Sequence, residues 1–96
     1  MAAFMIFLRE GEVFNAQEME AYRESNQANK QDFKLQPLVV YGNFETLEGA
    51  APDGVVLLQF PTVEDAKTWY HSPAYQAALQ HRMRAANYRV ILVEGL

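Results

Sequence analysis

The sequence predicts an α+β fold in which four strands and two helical regions alternate as β-α-β-β-α-β. Three observations carry this reading. Four short stretches, residues 2–8, 38–41, 55–60 and 90–93, are apolar almost throughout. Helical spacing, opened by capping residues, fills the gap after the first stretch and the gap after the third. Between the second and third, Pro52-Asp53-Gly54 is a turn signal: proline presets φ, and glycine accepts a positive φ.

Residues 2–8 (AAFMIFL) end at the charged Arg9-Glu10 and suit a strand buried on both faces. Asn15 is placed to cap the first helix, Glu18 to complete a capping box, and Phe14 with Met19 to form a hydrophobic staple. That helix runs over residues 16–28. Its apolar face is narrow, Ala16, Met19 and Tyr22, so it lies on the surface with one stripe inward. Residues 35–47 read as a second strand interrupted at Gly42-Asn43 by a bulge or bend. Residues 55–60 (VVLLQF) form the third strand, which Pro61 stops.

Thr62 to Asp65 form another capping box, and Ala66, Trp69 and Tyr70 are the apolar face of the helix it opens. Ser72-Pro73 breaks that helix and starts a new one, with Ser72 as cap and Pro73 in the first turn. Tyr75, Ala78, Leu79 and Arg82 share a face of this second piece. Residues 88–93 are the fourth strand. The order is the ferredoxin-like split βαβ arrangement, a four-stranded antiparallel sheet with helices on one face.

A sheet covered on one side should alternate apolar and polar residues. These strands do not alternate, so a second surface must cover the open face. We expect a homodimer through the open sheet face. The alternative is a monomer with an unusually apolar surface.

Composition narrows the function. The 96 residues are expected to form one domain, 1–96, with a thin core that buries about two-thirds of the unfolded surface. The chain has no cysteine, which removes disulfide, thiolate-metal and cysteine-nucleophile chemistry. A net charge of −4 is a poor match to nucleic acid or an anionic membrane. The longest apolar run is far short of the ~20 residues a membrane helix needs, and it lacks the basic start and small-residue cleavage site of a signal peptide. A cytoplasmic location is expected. His71 and His81 have no metal-ligand spacing, and no glycine-rich loop precedes a helix, so neither a metal nor another cofactor is expected.

Phe60-Pro61-Thr62, Ala66, Trp69-Tyr70-His71-Ser72, Tyr75-Gln76, Arg82 and Val93-Glu94-Gly95 together resemble domain-of-unknown-function family 1330. Phe44 to Gly49 (FETLEG) also fits that family. The resemblance implies the dimeric α/β-barrel superfamily, and it implies a pocket between sheet and helices in each subunit. The chain departs from the family pattern at Ala74 and Gln59, where Glu is usual, and at Tyr41, near where a basic residue is frequent.

Around that pocket Trp69, Tyr70 and Tyr75 can stack on a planar ligand, and Tyr22 of the first helix can face the same space. Arg82 can bind a carboxylate or enolate through its planar fork, and His71 can move a proton near neutral pH. Each has a plainer role. Trp69, Tyr70 and Tyr22 are spaced as packing residues. His71 sits at a helix end where the dipole favours a cation. Arg82 can lay its stem on apolar surface with its head in water. Three functions follow: a small-molecule binding protein for an aromatic or acidic ligand, a cofactor-independent monooxygenase or isomerase by analogy with the superfamily, and a non-catalytic structural or interaction dimer.

Overall fold

The computed structural model describes residues 1–29 and 34–96. Among them the elements run β1 (Ala3–Glu10), α1 (Ala16–Asn29), β2 (Gln36–Val40), β3 (Gly54–Phe60), α2 (Val63–Tyr70), α3 (Pro73–Met83) and β4 (Asn87–Glu94). The strands form one sheet in the order β2-β3-β1-β4, and every neighbouring pair is antiparallel. This is the ferredoxin-like arrangement that the alternation of apolar strands and capped helices implies.

The caps explain where the helices start. The Asn15 side chain accepts from the Glu18 backbone N–H at 3.1 Å, and Thr62 accepts from Asp65 at 3.1 Å. Ser72 accepts from the Tyr75 N–H at 3.2 Å and donates to the Trp69 carbonyl at 2.7 Å. It therefore closes α2 and opens α3 at once. Two details at α1 differ from expectation. The Glu18 carboxylate does not turn back to close a capping box but reaches across to His81 and Arg84 of α3. Phe14 is 62% exposed and Val13 packs on the Met19 cluster in its place, while the Phe14 backbone N–H donates to the Ala85 carbonyl at 2.8 Å.

The second strand is shorter than its sequence suggests. It ends at Val40, and residues 41–53 carry no strand or helix. The register shift falls between Pro37 and Val39, not at Gly42-Asn43. The chain leaves the sheet at Tyr41, which has φ +54°. At Pro52-Asp53-Gly54 the chain bends at Asp53, but Gly54 is already the first residue of β3 and has no positive φ; in the preceding loop it is Gly49 that does. Asp53 ties the bend to β1. Its N–H donates to the Arg9 carbonyl at 2.7 Å, and its carboxylate accepts from the Gly11 N–H at 2.7 Å.

The two faces of the sheet differ. Ala3, Met5 and Phe7 of β1 are buried on the helix side, together with Leu58 and Phe60 of β3. The alternate residues form an apolar stripe on the other face: Ile6 lies between Leu57 and Ile91, and Phe4 is paired with Val93. Ile91 and Val93 remain 46% and 45% exposed there. On the helix side α2 packs on β1, β3 and β4, whereas α1 leans mainly on α3. The narrow apolar face of α1 accounts for this. Met19 packs against Ala85 and Ala86, and the Tyr22 hydroxyl bonds that of Tyr75 at 2.9 Å. The space between α1 and the sheet is left open as a pocket.

Candidate functional site: an arginine in an aromatic pocket

The pocket has a volume of about 290 Å³. Its floor is the helix side of the sheet, with Phe7, Val56 and Leu58, and its roof is α1, with Met19 and Tyr22. Trp69 and Arg82 close its inner side, and Tyr88 and Tyr41 stand at the end nearest the start of β3 and β4. Arg23, Asn26 and Gln27 of α1 make a polar rim. Among the described residues the lining contains two arginines, of which Arg23 is paired with Glu20 at 3.4 Å, and no carboxylate or imidazole, although the whole chain carries −4. An anion is therefore favoured inside against the sign of the protein as a whole.

Arg82 is the central group. Its place on the last turn of α3, on the face shared with Tyr75, Ala78 and Leu79, turns it inward. It is only 6% exposed, so most of its length is withdrawn from water. The guanidinium carbon lies 4.9 Å from the Tyr88 ring centroid, 5.5 Å from Phe7 and 5.7 Å from Tyr22. Among the described residues no acceptor takes a hydrogen bond from its side chain, and Nη1 is buried without a partner. Aromatic faces favour the cation by about 0.5–2 kcal/mol each. They do not supply the hydrogen bonds that a buried charge otherwise needs.

The tyrosines add donors. Tyr22 pairs with Tyr75, and Tyr41 pairs with Tyr88 through their hydroxyls. Within such a pair one hydroxyl donates, which leaves the accepting partner's own hydrogen to donate elsewhere. Burial, followed by the neighbouring Tyr22, pushes the Tyr75 phenol well above its ordinary range. Burial, followed by the hydrogen bond with Tyr41, does the same to Tyr88. Both stay protonated at any physiological pH, and Tyr88, which lines the pocket, remains a potential donor there. The pocket is rich in donors and apolar walls, a match for a planar oxyanion.

The six side chains singled out in the sequence do not all meet, and Tyr70 lines a different cleft. Trp69, Arg82 and Tyr22 line the pocket. Tyr75 lies behind them, 2% exposed, with its ring centroid 4.0 Å from that of Trp69. It supports the wall and touches the pocket through Tyr22. His71 lies elsewhere. It caps the C-terminus of α2 and lines a separate cleft with Met5, Lys67, Tyr70, Val90 and Leu92. Its ring stands edge-on to Tyr70 at 5.2 Å.

Tyr88, Phe7 and Tyr41 were not singled out as site residues. The first two were within reach of the strand pattern. Phe7 is on the buried parity of β1, and Tyr88 shares the parity of Val90 and Leu92 on β4. Tyr41 carried no usable signal, because its position depends on a positive φ.

Residues 2–96 match the model of DUF1330, a domain of unknown function, and the chain belongs to that family. No curated protein matches the sequence. Among solved structures, a protein of unknown function from Rhodopseudomonas palustris is similar at TM-score 0.76 and 21% identity, over 99% of this chain and 82% of that one. A dimeric protein of unknown function with a ferredoxin-like fold, from Bacteroides fragilis, is similar at TM-score 0.64 and 16% identity, over 98% and 96% of the two chains. A dimeric ferredoxin-like protein of unknown function from Thermobifida fusca is similar at 0.62 and 13%, over 97% and 90%. At these identities the likeness is one of fold. No helix among the described residues is long and apolar enough to cross a membrane.

Proposed function

We propose that this protein binds a small organic anion, a carboxylate or enolate on a planar apolar body, in the pocket between α1 and the sheet. One observation supports the reading: Arg82, with Nη1 buried and no acceptor among the described residues, lines a pocket walled by aromatic and aliphatic side chains. The anionic end meets Arg82, whose fork suits two oxygens of one group. The body lies between Trp69, Phe7 and Tyr22. A cavity of about 150 Å³ can hold benzene, so 290 Å³ has room for a ring with its acid group and small substituents.

The monooxygenase or isomerase alternative draws on the superfamily alone. Among the described residues the ionisable groups of this pocket, arginines and phenols, supply charge and donors, so the reading rests on binding. The test is a thermal-shift series with benzoate and its ring-substituted relatives. The melting temperature should rise with concentration in the wild type and stay flat in Arg82→Met. Equal shifts in the two proteins would overturn the assignment.

A homodimer through the open sheet face belongs to the same proposal. Its support is the stripe of Phe4, Ile6, Leu57, Ile91 and Val93, which the chain's own helices leave uncovered. The dimeric state named for two proteins of similar fold supports it further. A cytoplasmic location is proposed as well. The apolar run at residues 2–8 is accounted for by β1, which is hydrogen-bonded on both sides. Cell fractionation tests the location.

A further inference from the structure

Tyr41 stands in a conformation that a bulky side chain rarely adopts. Its φ of +54° is in the left-handed region, which is uncommon for any residue but glycine, asparagine or aspartate. Such a backbone persists only where the surroundings hold it, and it is a reason to look for a role. Four contacts hold it here. The Tyr41 N–H donates to the Val55 carbonyl at 2.9 Å. The ring lies so close over Gly54 that a Cβ there would meet its Cδ1 at 2.9 Å and its Cε1 at 3.0 Å. The Arg9 guanidinium carbon is 5.7 Å from the ring centroid. The hydroxyl pairs with that of Tyr88.

These contacts form a row across the sheet. Arg9 of β1 is paired with Gly54 of β3 on one side and with Tyr88 of β4 on the other. Tyr41 begins over Gly54 and ends at Tyr88, so it crosses β1 and walls off that end of the pocket. Tyr88 in turn lies against Arg82 at 4.9 Å. The length available to a ligand held on Arg82 is bounded at this end by the Tyr41 ring. The glycine at 54 is what lets the ring lie flat there.

We propose that Tyr41 is the specificity-determining residue of this pocket, a fixed end wall that admits single-ring acids and excludes longer ones. The inference rests on the anion-binding reading above, and it names the class of ligand within that reading: an acid one ring long. Without the Tyr41 ring the pocket opens along the row of Gly54 and Arg9 by roughly the volume of a phenol.

The test uses the quenching of Trp69, the chain's single tryptophan and a pocket residue. The probes are benzoate and biphenyl-4-carboxylate. Wild type is expected to prefer benzoate, and Tyr41→Ala to reverse the ranking. The change in the ratio of the two affinities should be at least about tenfold, the scale on which an apolar pocket discriminates by size. Tyr41→Phe keeps the ring and should keep the ranking. Gly54→Ala pushes the ring from its seat and should shift the ratio in the same direction as Tyr41→Ala. It decides the matter if Tyr41→Ala loses its far-ultraviolet circular dichroism.

An unchanged ranking in both Tyr41→Ala and Gly54→Ala, with Arg82→Met still abolishing quenching, overturns the wall and leaves the anion site standing. A reversal in Tyr41→Phe equal to that in Tyr41→Ala overturns it too, because the hydroxyl and not the ring would then set selectivity. Quenching by benzoate that survives in Arg82→Met overturns the anion site, and the wall with it.

Discussion

Replacing Arg82 by methionine removes a buried charge and keeps most of the side chain's length. Among the described residues the Arg82 guanidinium has no hydrogen-bond acceptor, and the residue is 6% exposed; burying one ion costs several kcal/mol after relaxation. Three aromatic faces, at 4.9, 5.5 and 5.7 Å, offset part of that cost. At about 0.5–2 kcal/mol each they return some 1.5–6 kcal/mol, so the two terms largely offset one another. Methionine has neither term and still packs on the same rings, where its sulfur is a favourable neighbour. Arg82→Met is therefore expected to lie between neutral and about 2 kcal/mol more stable, by analogy with buried charges replaced by apolar residues. For a chain of this size each kcal/mol moves the melting temperature by about 4–8 °C. Urea unfolding followed by circular dichroism, with the slope compared between the two proteins, measures the difference. A loss of about 3 kcal/mol or more is what breaking a satisfied buried ion pair produces. That result would refute the claim that Arg82 lacks a partner in the free protein.

Other consequences can be checked in the same preparations. An acid at one hundred times its dissociation constant should stabilise the wild type by about 2.7 kcal/mol, and differential scanning calorimetry reads this as a rise absent in Arg82→Met. The Glu18 carboxyl is held below its ordinary value, chiefly by the His81 hydrogen bond and then by Arg84, against the opposing effect of burial. A carboxyl depressed in the folded state contributes stability above its unfolded value, and that stability is lost as pH falls through the folded value. Wild type should therefore lose stability below about pH 4.5 more steeply than Glu18→Gln, as acid titration of the melting temperature would show. Ser72→Ala removes the cap of α3 and should cost about 1 kcal/mol in urea melts. Ile91→Asp places a charge in the apolar stripe and should give a folded monomer in analytical ultracentrifugation, where the wild type is expected to give a dimer.

Most of the fold was legible because its determinants are local. Asn15, Thr62 and Ser72 cap as their spacing implies, and each strand is a run bounded by charges, turns or proline. The second strand was read too long because Phe44 to Leu47 have β-forming side chains but no strand to pair with. The chain has already turned away at Tyr41, and Phe44 and Leu47 are 47% and 83% exposed. The site was half legible. Helical spacing places Trp69, Tyr75 and Arg82 on inward faces, and family resemblance points to the pocket. Spacing along one helix does not tell which side of the α2–α3 break a side chain serves. His71 therefore belongs to the Lys67–Tyr70 cleft and not to the Arg82 pocket. Tyr41 was illegible, since its place depends on a backbone conformation and on a glycine 13 residues away in the chain, at 54.

The central claim is that an organic anion, and not merely a planar body, completes the charge of Arg82. Isothermal titration calorimetry with benzoate and with benzamide tests it most directly, because the two share a ring and differ in charge. Saturable heat with benzoate and none with benzamide at the same concentrations is the predicted result. Equal binding of both, or binding of benzamide alone, would contradict it.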